Sequence, residues 1–192
     1  MRSFDRGRVA DSVYVTRTRA LLLTTLLLAT IAFGVTASSA QSAGRSETQL
    51  LTLNHQIASA INVYRHVHGL RPLRVSIHLN NSALQHSAEM GARGYFDHPS
   101  ANGTAFWKRI QSFYSSSHYP YWTVGENLLW SSANLSAVEA MKMWIASPEH
   151  RHNLLNKNWR DLGVSSVRAA NAGGVYGGNT VTIITTDFGA RH

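Results

Sequence analysis

Three short polar segments in the second half of the chain carry residue types that could do chemistry. They are residues 95–99, 125–127 and 147–151. Each places an imidazole or a carboxylate, such as His98, Glu126 or His150, inside an otherwise apolar stretch. Such groups serve in proteins as metal ligands and as general acids and bases. If the fold brings the three segments together, two histidines and one or two glutamates would share one site.

The first two segments allow both chemical and structural interpretations. His98 lies in a loop beside Asp97, where it is a candidate ligand or general acid/base, or a ring that caps a backbone carbonyl. Glu126 stands between Gly125 and Asn127 in an apolar stretch. Because an unpaired buried carboxylate is costly, this setting favours an inward-facing Glu126 with a partner. Strand alternation would also allow it to face solvent. Asn127 would then bond neighbouring backbone and hold the strand in shape.

The third segment offers two histidines and an acid. On a helix, His150 and His152 would lie about 200° apart, so only one of them is expected to enter a shared site. Glu149 follows Pro148 in the first turn, where a negative charge is favourable beside the helix N-terminus. It is therefore either a solvated acid or an inward-facing member of the site.

Two histidines and one glutamate are enough for a zinc site with an open fourth position. They are equally enough for a hydrogen-bonded network without a metal, and their spacing does not decide between the two. The chain contains no cysteine, which excludes thiol catalysis and thiolate ligands. It also has no Gly-x-Ser-x-Gly nucleophile turn and no phosphate-binding glycine loop ahead of a helix.

The N-terminus has the layout of a secretory signal peptide. Arg17 and Arg19 precede an apolar or neutral run over 20–35, and small residues follow before Gln41. The run is short for a membrane span, which needs about 20 apolar residues. A retained N-terminal anchor is the alternative. We predict a signal peptide over 1–40, a linker over 41–49, a domain over 50–190, and an extracellular location, free or associated with the cell envelope.

The formal net charge of the chain is +8. Its basic residues are scattered, and no basic stripe with interleaved aromatics indicates a nucleic-acid partner. A weak attraction to anionic cell-wall polymers is compatible with this charge.

Hydrophobic periodicity predicts helices first and a hairpin last, which is typical of a layered α+β domain. The predicted helices cover 47–68, 76–93, 104–113 and 134–146, followed by a proline-initiated turn at Pro148. The predicted extended segments cover 124–130, 162–168 and 180–188, and a glycine-rich turn over 171–179 joins the last two.

An ordered series of short motifs over residues 50–189 resembles the CAP superfamily (cysteine-rich secretory, antigen 5 and pathogenesis-related-1 proteins) in its bacterial SCP-like form. The pieces, in chain order, are Asn62-x-x-Arg65 with Gly69-Leu70-x-Pro72-Leu73, Ala88-x-Met90, Gly94-Tyr95-Phe96-Asp97-His98, Gly125-Glu126-Asn127, Trp144-x-x-Ser147-Pro148-x-His150-Arg151-x-Asn153-Leu154-Leu155, Gly163-Val164 and Asp187-Phe188-Gly189. The resemblance implies an α-β-α sandwich with a central antiparallel sheet.

The resemblance also implies a cleft with two histidines and two glutamates, which binds a divalent metal in some members. His98, Glu126 and His150 match three of these four positions, and Ser147 stands where the second glutamate would fall. Glu149 could replace the missing acid only if its turn points inward. One carboxylate fewer weakens the case for zinc or another divalent metal.

The expected function is that of a secreted binding domain that is non-enzymatic or only weakly enzymatic. Its cleft would take an extracellular lipid, glycan or protein, with or without a metal. The expected cleft residues are His98, Glu126, Asn127, Ser147, Glu149 and His150. One alternative is a metal-dependent hydrolase with Glu126 as general base on a metal-bound water. Another is a structural surface protein in which the polar residues serve stability alone.

Overall fold

The structure, a computed structural model, describes residues 32–132 and 134–192, with side chains from Ser46 onward. The helices are α1 (Ala32–Val67), α2 (Ile77–Arg93), α3 (Phe106–Phe113), α4 (Ala137–Ala146) and α5 (Pro148–Leu155). The strands are β1 (Arg74–Val75), β2 (Trp122–Ser131), β3 (Asp161–Ala172) and β4 (Asn179–Arg191). Within these ranges, no helix combines the length and apolar character needed to cross a membrane.

The four strands form one sheet in the order β1-β3-β4-β2, with β2 at one edge. The long strand β4 pairs antiparallel with both β3 and β2. The predicted hairpin and the predicted antiparallel sheet are confirmed. Within the described residues, the sheet departs from this expectation at β1, a two-residue strand that pairs in parallel with Asp161 and Leu162 at the start of β3.

Helices cover both faces of the sheet, which makes a three-layer α-β-α sandwich. Successive strand side chains point to opposite faces, so each inner strand supplies two apolar rows. One row packs with α1, α4 and α5 in a core that includes Ile61, Trp144 and Phe188. The opposite row packs with α2 and α3 in two smaller clusters that include Met90 and Ile110.

The helix boundaries nearest the polar segments follow from local sequence. Gly94 ends α2 in the left-handed conformation, with φ of 70°, just before the loop that carries His98. Ser136 and Glu139 form a reciprocal capping box at the start of α4. Pro148 occupies the first turn of α5, where its missing N–H costs nothing.

Helix α1 begins earlier than the sequence predicts. It starts at Ala32 rather than near Glu47, so residues 41–49, which we assigned to a linker, are helical. Its predicted end, at the turn before Gly69, is confirmed. Most of the predicted signal peptide lies outside the described residues, and that prediction stays as it was made.

Candidate functional site

Edge strand β2 divides the polar residues between the two faces of the sheet. Glu126 stands opposite Asp187 of β4, and Asn127 stands opposite Thr186. Because consecutive side chains alternate, Glu126 points towards the α2/α3 layer and Asn127 towards the α4/α5 layer. The loop carrying His98 lies with the first layer, and the segment carrying His150 belongs to the second.

On the α2/α3 side, Glu126 is paired at both carboxylate oxygens. Its Oε1 accepts a hydrogen bond from Nδ1 of His98 at 2.7 Å, and its Oε2 contacts Nη2 of Arg109. The Glu126 side chain is only 1% exposed and that of Arg109 only 4%, whereas that of His98 is 47% exposed. The inward-facing, partnered Glu126 expected from burial cost is therefore what the structure shows.

The hydrogen bond to Glu126 raises the pKa of His98, and partial burial of the ring opposes this rise. Because Nδ1 of His98 is bonded to Glu126, the second ring nitrogen, Nε2, remains for a ligand. No group in the described part of the chain hydrogen-bonds to that nitrogen.

Asp187 is a member of this site that the sequence analysis named only as part of a motif. It is fully buried and faces Glu126 across the β2/β4 ladder. Ser82 and Glu126 lie beside its carboxyl group, but among the described residues neither forms a hydrogen bond of good geometry with it. Burial, followed by the negative charge of Glu126, raises the pKa of Asp187 well above its ordinary value.

His86 on α2 is a second residue that the sequence analysis missed. It is fully buried, and its Nε2 contacts the Asp97 backbone carbonyl at 2.9 Å. The Asp97 side chain in turn accepts from the backbone N–H of His98 at 2.7 Å. Burial lowers the pKa of His86, which favours the neutral ring. His86 thus holds the loop that presents His98.

On the α4/α5 side, His150 and Ser147 bond to each other. Nδ1 of His150 lies 2.7 Å from the Ser147 hydroxyl, and Asn127 donates to the His150 backbone carbonyl at 3.0 Å. Burial lowers the pKa of His150, and the charge of His98 lowers it further. Glu149 is exposed and accepts from Ser147 at 3.1 Å, so its turn does not point it into the site.

The two sides meet at a cavity of about 440 Å³ over the edge of β2. His152, not His150, joins His98 and Glu126 on its wall. Of the expected cleft residues, His98 and Glu126 line this cavity, whereas Asn127, Ser147, Glu149 and His150 do not. The remaining lining residues are Phe106, Val124, Gly125, Asn153, Asn156 and Trp159.

Asn153 of α5 connects the two sides of the site by hydrogen bonds to strand β2. Its amide donates to the Glu126 carbonyl at 3.0 Å and to the Asn127 side-chain oxygen at 2.9 Å. Trp159 donates to the Asn153 carbonyl and packs its ring close to Gly125, where an added Cβ would come within 2.8 Å of it. The glycine of the second segment is thus required by this close approach.

The arrangement does not fit the divalent metal that the resemblance implies. Both oxygens of Glu126 are already bound, one of them by a guanidinium, and the hydroxyl of Ser147 is bound by His150. Within residues 32–132 and 134–192, no three His, Asp or Glu side chains are grouped so as to hold a metal ion.

Comparison with known proteins gives one consistent family. The family described as "CAP: Cysteine-rich secretory protein family" matches residues 58–185. The protein YkwD of Bacillus subtilis is 32% identical over 114 residues, which are 59% of this chain and 42% of YkwD. An extracellular protein of Bacillus anthracis that contains a SCP domain has 28% identity and a TM-score of 0.55, over 71% of this chain and 40% of that one.

An outer surface protein of Borrelia burgdorferi gives a TM-score of 0.58 at 20% identity, over 70% of this chain and 90% of that one. At this identity the likeness supports the fold alone. The present chain spans less than half the length of the two Bacillus proteins, at 42% and 40% of each.

Proposed function

The chain belongs to the CAP family of cysteine-rich secretory proteins, and from this premise we propose that it is an extracellular binding protein whose cleft takes a hydroxyl-rich ligand such as a glycan segment. The bound state of Glu126 carries the proposal. A general base must have a free lone pair within reach of the proton it removes. Here both carboxylate oxygens of Glu126 already accept from His98 and Arg109, and because the side chain is only 1% exposed its remaining lone pairs are shielded from a substrate proton. The site is therefore built to present groups to a ligand rather than to transform it.

The lining of the cavity favours a glycan over a lipid or a protein segment. Imidazole groups of His98 and His152 and the amide of Asn156 border the space, and Phe106 supplies an aromatic ring. Because the charge of Glu126 is balanced by Arg109, the acid does not select a cationic ligand. Neutral hydroxyl groups match such donors and acceptors, and an aromatic ring suits the apolar face of a sugar.

An extracellular location is supported by two observations. The N-terminus has the layout of a signal peptide. The Bacillus anthracis protein that resembles this chain at 28% identity is described as extracellular. The proposal therefore places the ligand outside the cell, with bacterial wall glycan as the first class to examine.

The test compares two exposed histidines, one inside the cavity and one outside it. His152 lines the cavity and has no hydrogen bond within the described residues, so His152→Ala removes a ligand contact without disturbing the fold. His78 is equally exposed on α2 and does not line the cavity, so His78→Ala is the matched control. Binding of soluble N-acetylglucosamine oligosaccharides and muropeptides is measured by calorimetry.

We expect the His152→Ala variant to weaken binding by about tenfold, the effect of losing one good hydrogen bond. The His78→Ala variant should bind like the wild type. Wild-type protein that binds none of these glycans, or binding that both variants leave unchanged, would contradict the proposal.

A second candidate function rests on an exposed apolar groove between α1 and α4. This groove of about 1080 Å³ is lined mainly by apolar side chains, and Val63 and Val138 are 61% and 76% exposed. Exposed apolar patches of this kind mark binding surfaces. Lys142 lies beside them and could pair with a carboxylate, so the fitting occupant is a fatty acyl chain with an acidic head group.

Displacement of a fluorescent fatty acid tests the groove. Val63→Ser should weaken binding severalfold by removing an apolar contact. Val175→Ser is the control, because Val175 is similarly exposed, at 58%, in the distant β3–β4 turn. Equal binding by both variants would exclude the groove as the acyl site.

A further inference from the structure

We propose that the guanidinium of Arg109 is the cation that balances the charge of Glu126 in the cleft, and that it thereby excludes a divalent metal ion from Glu126. The proposal concerns the inner wall of the cleft and does not depend on which ligand the cavity binds. It follows from three features of the buried groups: where Arg109 reaches, how charge is balanced around it, and what its removal would leave behind.

Arg109 links separate parts of the chain, as a bound metal ion would. It extends from α3, and its Nη2 contacts Oε2 of Glu126 on β2. Its Nη1 donates to the backbone carbonyl of His98 at 3.0 Å and to the hydroxyl of Ser100 at 3.4 Å. One side chain thus fixes the loop that presents His98 against the strand that holds Glu126.

Charge balance requires a cation at this point. The carboxylate of Glu126 is buried beside Asp187 on the neighbouring strand, and Arg109 is the cation that contacts Glu126. A guanidinium keeps its charge at any pH that a folded protein tolerates. A metal ion approaching Glu126 would meet this positive charge at close range, in surroundings that screen it poorly.

Removal of the guanidinium would leave a set of ligands of the kind that metals use. Oε2 of Glu126 would lose its partner, whereas the bond between Oε1 and Nδ1 of His98 would remain until a metal ion displaced its proton. Asp187 lies beside them with no hydrogen bond of good geometry in the described part of the chain. One imidazole and two carboxylates are the ligand types of a zinc site with an open position. In the described part of the chain they are not grouped to hold a metal, so they would have to shift into the space that the guanidinium vacates. Arg109→Gln should therefore create a zinc site where the wild type has none.

The experiment titrates ZnCl₂ into wild type and into Arg109→Gln, and follows heat and melting temperature. Lys108→Gln is the matched control, because it removes the neighbouring but exposed charge on the same helix. We expect the Arg109→Gln variant to bind one zinc ion at least tenfold more tightly than the wild type or the Lys108→Gln variant. Adding His98→Ala to Arg109→Gln should abolish the gain, which separates this site from zinc held by surface histidines.

Arg109→Gln leaves the buried Glu126 without a counter-ion, so the variant is expected to be destabilised without metal. In that case zinc should restore a cooperative melting transition, because a ligand that binds only the folded state stabilises it by mass action. The charge-conserving Arg109→Lys variant should exclude zinc like the wild type. The proposal is overturned if wild type binds zinc as tightly as Arg109→Gln, or if zinc neither binds to nor restores that variant.

Discussion

The burial of Asp187 gives the sharpest prediction about stability. Its carboxyl group is fully buried beside Glu126, so the folded protein favours the protonated form and the pKa lies well above the ordinary value of 3.8. The unfolded chain releases that proton once the pH passes the ordinary value. Between the two pKa values the folded state binds more protons than the unfolded state, so stability falls as the pH rises. Asp187→Asn keeps the shape of the side chain and removes the titration.

The size of the effect follows from linkage. Each pH unit above the ordinary pKa costs the folded wild type about 1.4 kcal/mol, until the pH reaches the pKa of the folded state. The total cost at pH 7 therefore grows with the gap between the ordinary and the folded pKa. Asp187→Asn should therefore be more stable than wild type at pH 7, and this advantage should disappear near pH 4.

Urea unfolding of both proteins from pH 4 to pH 8 measures the difference directly. Glu47→Gln is the control, because Glu47 is an exposed acid on α1 and its loss gives the effect of removing one negative charge. Other titrating groups are shared by all three proteins and largely cancel in the differences. If the stability difference between Asp187→Asn and wild type stays constant across this range, Asp187 does not hold a proton in the fold and the reasoning is wrong.

Three further predictions concern the histidines and one close approach of the backbone. The pKa of His98 is raised, so its contribution to stability is complete below about pH 6.5 and is lost as the pH rises through the folded value. His98→Gln should therefore lower the free energy of unfolding most in acid, and NMR titration of the wild type should show the raised pKa. The pKa of His150 is lowered, so protonation opposes folding; His150→Gln should reduce the loss of stability below about pH 6.5, as measured by urea unfolding. A Cβ on Gly163 would lie 2.2 Å from the Leu79 backbone, so Gly163→Ala should lower the free energy of unfolding by at least about 2 kcal/mol, whereas Gly173→Ala, which meets nothing within 4 Å, should change it by less than about 0.5 kcal/mol in thermal melts.

Local sequence was sufficient for most of the fold. The end of α2 at Gly94, the cap of α4 at Ser136 and the final hairpin all depend on signals within a few residues, and all three are present. Strand β1 has no such signal, because its two residues are extended only through pairing with Asp161 and Leu162 far along the chain. The early start of α1 was missed because its small polar residues resemble a linker, although a helix once formed extends cooperatively.

The sequence indicated which residues, such as Glu126, belong to the site, but not which residues they bond to. A carboxylate in an apolar stretch indicated that Glu126 is buried and paired, but the sequence did not identify Arg109 as the partner, since a basic residue on a short helix is usually solvated. Asp187 carried a comparable signal, an acid within a buried strand, and the same argument from burial cost would have found it. His86 resembled an ordinary helix residue, and its role depends on a loop contact that only the fold creates.

Alternation of side chains along β2 explains why the polar residues form two separate hydrogen-bonded groups rather than one ligand set. Glu126 and Asn127 are neighbours in sequence, so they must face opposite layers. Glu126 finds its partners in the layer of His98 and Arg109, and His150 finds its partner in Ser147. A glutamate at position 147 would offer His150 a charge to share, whereas the serine satisfies that ring without one. Together with Arg109, the serine leaves few unbalanced charges among these residues.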